Sequence, residues 1–264
     1  MKSNFVWTTF QYVKYKLTAK HRKGHGIHSP FIYDFVVNVL NKKADNKHFT
    51  ANKLKQQSLN KIKTKIRIQD PGTGSIIRKS NIRSVKSLAK HSSTLYKYRC
   101  LTGLIAQHFA PEIIIELGTS LGLTTDILAC MSPNSTIKTV EGSPEIFELA
   151  KRNFKLWKHN NIIAINSTFR QFINELEPIN KTALVYIDGH HQGDATIEYF
   201  NAFWNKIPSN SIIIIGDIYW SKSMTEAWKE ISAPKKNQYS LDLFYIGIVF
   251  KHKNCAGNNL VIKY

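Results

Sequence analysis

The chain has 264 residues, enough for one large domain or for a core with an appendage, and a formal charge of +19 from 37 Lys+Arg against 18 Asp+Glu. Its three cysteines, Cys100, Cys130 and Cys255, lack metal-ligand or redox-pair spacing, which excludes a disulfide scaffold and fits a reducing compartment. No run reaches the roughly 18 apolar residues of a membrane span. Met1 to Lys20 lacks the uninterrupted apolar core of a signal peptide, so the chain is expected to be soluble and cytoplasmic.

The excess charge lies entirely in the first part. Residues 1–110 hold 22 Lys+Arg against three Asp, whereas residues 111–264 hold 15 Lys+Arg and 15 Asp+Glu. Such asymmetry points to two regions with different roles: a basic, mainly helical cap over residues 1–92 and an α/β domain over 93–264. A basic region can hold nucleic acid, an anionic membrane face or an acidic substrate. The lysines are scattered and carry no nucleic-acid-binding signature, which favours a solvated surface.

From Phe5 to Leu17, Val6, Phe10, Val13 and Leu17 recur at helical spacing among lysines. The aromatics Phe5, Trp7, Phe10, Tyr12 and Tyr15 suit a membrane surface, but docking on the body of the protein is the expectation. His21, His25 and His28 are separated by glycines that give no regular ligand geometry, so they read as loop histidines. Ser29-Pro30 is a cap followed by a first-turn proline, and Phe31, Phe35, Val39 and Leu40 continue that helix. Asn41 to Lys65 reads as a solvated helix. Asp70-Pro-Gly-Thr-Gly-Ser75 is a tight turn, with an anion-binding nest as the functional alternative. Helices are predicted over 82–90 and 95–109.

Ile113-Ile-Ile-Glu-Leu-Gly-Thr-Ser-Leu-Gly-Leu-Thr-Thr125 follows. A short β-branched run ending in an acid suits a strand buried on both faces, and Gly118 allows a sharp turn close to a ligand. Dinucleotide sites want G-x-G-x-x-G, whereas the spacing here is Glu-x-Gly-x-x-x-Gly, and Glu116 would repel a diphosphate but not a cation. From Glu116 to Thr125 the chain resembles the first motif of class I S-adenosylmethionine-dependent methyltransferases, in the O-methyltransferase-like form of small-molecule enzymes. A second acid, Glu141, stands at the next strand end as that motif requires. The segment from Gly24 to Phe31 resembles the N-terminal region of a bacterial branch of the same family.

Strands are predicted near 113–117, 136–141, 161–166, 183–188 and 211–217, and helices near 121–131, 144–157, 168–176, 194–206 and 223–232. Ser143-Pro144 starts the second of these helices and Ser223-x-x-Glu226 is read as a capping box for the last. This alternation implies a parallel sheet flanked by helices. Two strand-like runs, 239–244 and 245–250, leave no room for a crossover and must pair antiparallel. The expected fold class is therefore α/β, with a Rossmann-like, mostly parallel sheet, a reversed final strand and the basic helical cap.

Ligands of open α/β sheets bind beyond the carboxyl ends of the strands. The polar residues there are Glu116, Glu141, Ser167-Thr168, Asp188 to His191 and Asp217 to Trp220. The resemblance implies that S-adenosylmethionine is the cofactor. Gly118, Thr119 and Gly122 would border its methionine part above Glu116, Glu141 would accept both ribose hydroxyls, and Ser167 and Thr168 would lie near the adenine. Tyr186-Ile-Asp-Gly-His-His191 resembles the fourth-strand motif, with Asp188 beside the sulfonium and His190 or His191 facing the acceptor. Gly216-Asp217-Ile-Tyr-Trp220 resembles the fifth, with Tyr219 and Trp220 lining the acceptor pocket. Metal-dependent members hold Mg2+ with these two aspartates and an asparagine after the second. Here that position is Ile218, one ligand short, so no metal is expected and Asp188 and Asp217 are the only candidates. His190 or His191 is the expected base, with Asp217 as its orienter or as an alternative base.

The function expected is methyl transfer to an oxygen, or less readily a nitrogen, of a small-molecule acceptor, an anionic one suiting the basic cap. A second reading makes the chain a nucleic-acid-binding protein or nucleic-acid methyltransferase, but it lacks the proline-aromatic tetrapeptide of amino-group methyltransferases. A third, a dinucleotide-dependent oxidoreductase, meets the wrong glycine spacing.

Overall fold

The computed structural model describes residues 2–43, 46–68, 82–91, 93–253, 255 and 257–264. The Asp70–Ser75 turn lies outside them. The elements run α1 (Lys2–Thr18), α2 (Pro30–Phe35, continuing into a π-helical turn at Val36–Leu40), α3 (Lys47–Leu59), β1 (Lys65–Arg67) and β2 (Ile82–Ser84). Next come α4 (Val85–His91), α5 (Tyr96–Phe109), β3 (Ile113–Leu117), α6 (Leu123–Met131), β4 (Thr136–Glu141), α7 (Pro144–Leu156), β5 (Ile162–Asn166) and α8 (Phe169–Glu175). The chain closes with β6 (Ala183–Ile187), α9 (Gly193–Lys206), β7 (Ser211–Gly216), α10 (Lys222–Ser232), β8 (Gln238–Asp242), β9 (Ile246–Lys251) and β10 (Asn258–Val261).

From residue 113 onward, every predicted strand and helix is present, with ends displaced by at most two residues. Two small elements carry no sequence signal: the antiparallel pair β1–β2, and β10, which lies parallel to β8. The cap of α10 also differs from the expected capping box. Ser221, not Ser223, accepts the Met224 N–H (3.2 Å) and starts the helix. Ser143 and Ser29 cap α7 and α2 as read.

The sheet is eight-stranded, mostly parallel, Rossmann-like and flanked by helices, and the chain divides into two compact units. The unit Ala44–Leu176 contains β3, β4 and β5 in parallel register. Ile114, Ile115, Leu117, Ile137 and Val140 are fully buried, as a strand covered on both faces requires. α3 and α5 are joined to α6 by a buried polar network. Arg99, with no exposed surface, donates to Asn52 Oδ1 (2.8 Å), Gln56 Oε1 (2.8 Å) and the Thr94 carbonyl (3.0 Å). Asn52 donates to Asp126 (2.7 Å), which also pairs with Lys55 (2.5 Å) and His159 (2.6 Å). Burial raises the Asp126 carboxyl, but the bonds from His159, Lys55 and Asn52 outweigh it and hold the group below its usual value.

The other unit, Met1–Lys43 with Glu177–Tyr264, orders its strands β10-β8-β9-β7-β6. β6 and β7 are parallel, and β9 is the reversed strand, antiparallel to both β7 and β8. α1 packs here through Trp7, whose indole N–H donates to Thr225 Oγ1 (3.2 Å), and through Tyr15, whose hydroxyl donates to the Ile262 carbonyl (2.6 Å). Docking on the body, expected of the aromatics, is met by Trp7 and Tyr15 but not by Phe10, which faces outward with Val6, Val13 and Leu17, 52–79% exposed. The aromatic Trp7 and Tyr15 make the contact, because their polar tips find partners as well as apolar cover. Among the described residues no helix is long and apolar enough to cross a membrane.

Candidate active site

In the unit Ala44–Leu176, the turn after β3 is built from left-handed backbone. Gly118, Ser120 and Gly122 have φ of 105°, 49° and 80°. A Cβ on Gly122 would lie 2.4 Å from Phe154 Cε1, so only glycine fits there. The Gly118 N–H bonds the Val140 carbonyl (3.0 Å), which ties the turn to β4. Glu116 is fully buried, and its Oε2 accepts from Thr125 Oγ1 (2.5 Å) and Thr139 Oγ1 (2.6 Å). Thr119 Oγ1 meets Thr139 Oγ1 at 2.6 Å, so the acid and three threonines brace the turn from beneath.

Glu141 ends β4, half-buried. Its Oε2 accepts the Ser120 N–H (2.9 Å) and its Oε1 the Ser143 N–H (3.0 Å). Two backbone donors fix this carboxylate in orientation. Beyond β5, the Ser167 hydroxyl donates to the Thr168 carbonyl (3.1 Å). Thr168 Oγ1 accepts the Gln171 N–H (3.2 Å) as the cap of α8, which leaves its own O–H as a donor.

In the other unit, Asp188 and Asp217 follow β6 and β7. Asp188 Oδ2 accepts from Tyr186 Oη (2.9 Å). Gly216 is what lets Asp188 sit there, since a Cβ on it would be 2.4 Å from Asp188 Oδ1. His190, His191 and Asp217 all have left-handed backbone, with φ of 67°, 35° and 52°. Such conformations cost non-glycine residues energy and concentrate at functional sites. His191 Nε2 lies 3.8 Å from Asp217 Oδ2, and its ring is beside Trp220 (5.8 Å between centroids). Burial pushes the Asp217 carboxyl up to about 6, against the pull of His191 and with the help of Asp188. His190 Nδ1 meets Tyr199 Oη at 3.0 Å, and its Nε2 is buried without a hydrogen bond.

Tyr219 and Trp220 part company. Trp220 is 43% exposed, whereas Tyr219 donates its hydroxyl to Asp242 Oδ2 (2.6 Å) and stacks on Phe244 (5.2 Å) in the packing beneath α1. Tyr186, Tyr199 and Gly216 are the supporting residues that the sequence reading leaves without a role. Only Tyr186 had a usable signal: residues two apart on a strand share a face, which puts it beside Asp188.

Donor atoms of Asp188, His191 and Asp217 lie within 4.8 Å of one another and can gather round a divalent cation. Ile218 is fully buried and offers no ligand. Mg2+ would find two carboxylates and an imidazole, a set better matched to Mn2+ or Zn2+, so the residues do not fit Mg2+ well. Asp126, Cys130 and His159 form a similar group, but the Lys55 ammonium already neutralises its carboxylate (2.5 Å).

Residues 115–218 match the model of a protein family described as a methyltransferase domain. Comparison with curated proteins finds no match. Among solved structures, the S-adenosylhomocysteine-bound methyltransferase PaMTH1 of Podospora anserina is similar, with 12% identity, TM-score 0.59, and 81% of this chain and 92% of that one covered. An O-methyltransferase from Bacillus cereus in complex with S-adenosylhomocysteine has 15% identity and TM-score 0.53, with 84% and 97% covered. The O-methyltransferase TomG from Streptomyces achromogenes, in complex with S-adenosylmethionine, has 13% identity and TM-score 0.51, with 61% and 82% covered. Residues 115–218 thus match a methyltransferase domain, and the chain shares the Rossmann-like fold of these solved structures.

Proposed function

We propose that the chain transfers the methyl group of S-adenosylmethionine to an oxygen of a small-molecule acceptor. The observation that carries this reading is Glu141. Two backbone N–H groups hold its carboxylate at the carboxyl end of β4, the place beyond the sheet where a carboxylate can accept from the paired hydroxyls of a ribose. Gly118 to Gly122 and the Glu116-braced turn form the cofactor's other wall. Ser167 and Thr168 serve its base.

The cofactor, when bound, supplies a methyl group already activated on a sulfonium. The chain has to align an acceptor and take its proton, and most of the acceleration in such a displacement comes from alignment and charge placement. His191 suits the base better than His190. Its side chain is 33% exposed, while the His190 Nε2 is buried and its other nitrogen faces Tyr199. Asp217, ionised above about pH 6, stabilises the imidazolium that forms on His191. Trp220 gives the acceptor a flat apolar wall, and Asp188 supplies negative charge near the same groups. The reading places the protein in a reducing, cytoplasmic setting that suits its free cysteines.

Calorimetry with S-adenosylhomocysteine tests this. Binding in the micromolar range is expected, and Glu141→Ala should weaken it at least tenfold, about 1.4 kcal/mol, with the circular dichroism spectrum unchanged. Full affinity in a folded Glu141→Ala variant overturns the assignment.

A further inference from the structure

α1 presents two opposite faces. The docked face is the adjacent pair Trp7 and Thr8 with Gln11 and Tyr15 at steps of three and four, continued by Ala19 just past the helix end, all wholly or largely buried. Thr8 donates to the Tyr219 carbonyl (3.3 Å), and Tyr15 accepts the Tyr264 N–H (2.9 Å) as well as donating to Ile262. On the other side Val6, Phe10, Val13 and Leu17 are 71%, 63%, 52% and 79% exposed. At ~100° per residue, their spacing of four, three and four confines them to an arc of about 60°. The same arithmetic puts Lys14 on one edge of that arc and Lys16 on the other, both exposed. Exposed Arg22 and Lys23 follow in the next loop, and residues 1–33 contain no Asp or Glu.

We propose that α1 lays this face on the surface of an anionic lipid bilayer. A narrow apolar stripe edged by lysines on both sides is the arrangement that lets apolar side chains enter the acyl boundary while flexible lysine stems reach up to the phosphates. Each lysine near an anionic leaflet adds attraction, and no carboxylate in this part of the chain opposes it. A second copy fits less well. Four side chains along one helix fall far short of the ~800 Å2 that each partner of a stable dimer buries. Pairing two such stripes would also set their lysine edges against each other, whereas lipid phosphates neutralise them. The helix docks on its own unit through the opposite face, so the stripe is free to meet a bilayer without disturbing that packing.

Sedimentation of the full chain with vesicles tests the proposal, using phosphatidylcholine alone and phosphatidylcholine mixed with phosphatidylglycerol. The expected result is binding to the anionic vesicles at least ~10-fold stronger than to the neutral ones, weakening as salt rises from ~0.05 M to ~0.5 M. Phe10→Asp with Leu17→Asp should abolish it, and Lys14→Glu with Lys16→Glu should lower it and flatten its salt dependence. All four side chains face solvent, so the variants should melt with the native protein and keep its affinity for S-adenosylhomocysteine. No binding to anionic vesicles overturns the proposal. So does binding that survives the double aspartate variant, which would place the lipid on another basic surface. A concentration-dependent dimer that the aspartates dissolve, without vesicle binding, would make a second copy the occupant and overturn it as well.

Discussion

At the scale of single residues, Asp217 shows how much a strand end can alter a side chain that is ordinary in sequence. Its backbone is left-handed, its N–H bonds the Tyr245 carbonyl (2.7 Å), and burial lifts its carboxyl from 3.8 to about 6. Between these values the unfolded chain has lost this proton and the folded chain keeps it, so folding stability should fall as pH rises from about 4 to about 6. Urea unfolding across that range should show a steeper decline in the native protein than in Asp217→Asn, which cannot titrate there. Equal slopes would mean that the carboxyl ionises as freely as it does in water. The acid itself was legible from the chain as the residue closing an apolar run, and so were Glu116, Glu141 and Asp188. How deeply each acid is buried was not legible. Glu116 is sealed under Thr125 and Thr139, while Glu141 is only half-buried, and no local pattern distinguishes the two.

At the scale of elements, glycine-for-space exchanges and polar ties between helices set the architecture. Gly122 combines a φ of 80° with a ring carbon of Phe154 2.4 Å from any added Cβ. Gly122→Ala should therefore lose about 1–3 kcal/mol from backbone strain and at least as much again from overpacking. Urea melts of Gly122→Ala and of Gly122→Ala with Phe154→Leu separate the two, because the smaller side chain relieves only the contact. If the alanine variant were as stable as the native protein, the turn would not need its left-handed geometry. Arg99 is the corresponding tie between helices. Arg99→Met leaves the side-chain oxygens of Asn52 and Gln56 without this donor inside the α3–α5 packing and should lower stability by about 2–4 kcal/mol. A loss under 1 kcal/mol in the same melts would mean that water reaches those oxygens.

At the scale of the whole molecule, 22 of the 37 basic residues lie in the first 110 positions with only three acids among them. Charge of one sign at this density repels itself in the folded state, and salt screens it over a Debye length of ~10 Å at 0.1 M. Scanning fluorimetry should thus record a melting temperature that rises between ~0.02 M and ~0.2 M sodium chloride. A flat or falling trend would show that local ion pairs such as Lys55–Asp126 outweigh the general repulsion. The sequence by itself determined the alternation of strands and helices from residue 113 onward and the acids that close four of those strands. Both follow from short-range causes: side-chain period, caps and the need of a two-sided strand to be apolar throughout. Tertiary structure decided that the His190 Nε2 is buried, that Tyr219 turns to Asp242 while Trp220 stays exposed, and which face of α1 is docked. Those outcomes depend on partners far away in the chain, Thr225 and Ile262 for α1 and Asp242 for Tyr219. A helical stripe announces only that something apolar will cover it, and folding chose the opposite face because Trp7 and Tyr15 could satisfy both ring and hydrogen bond there.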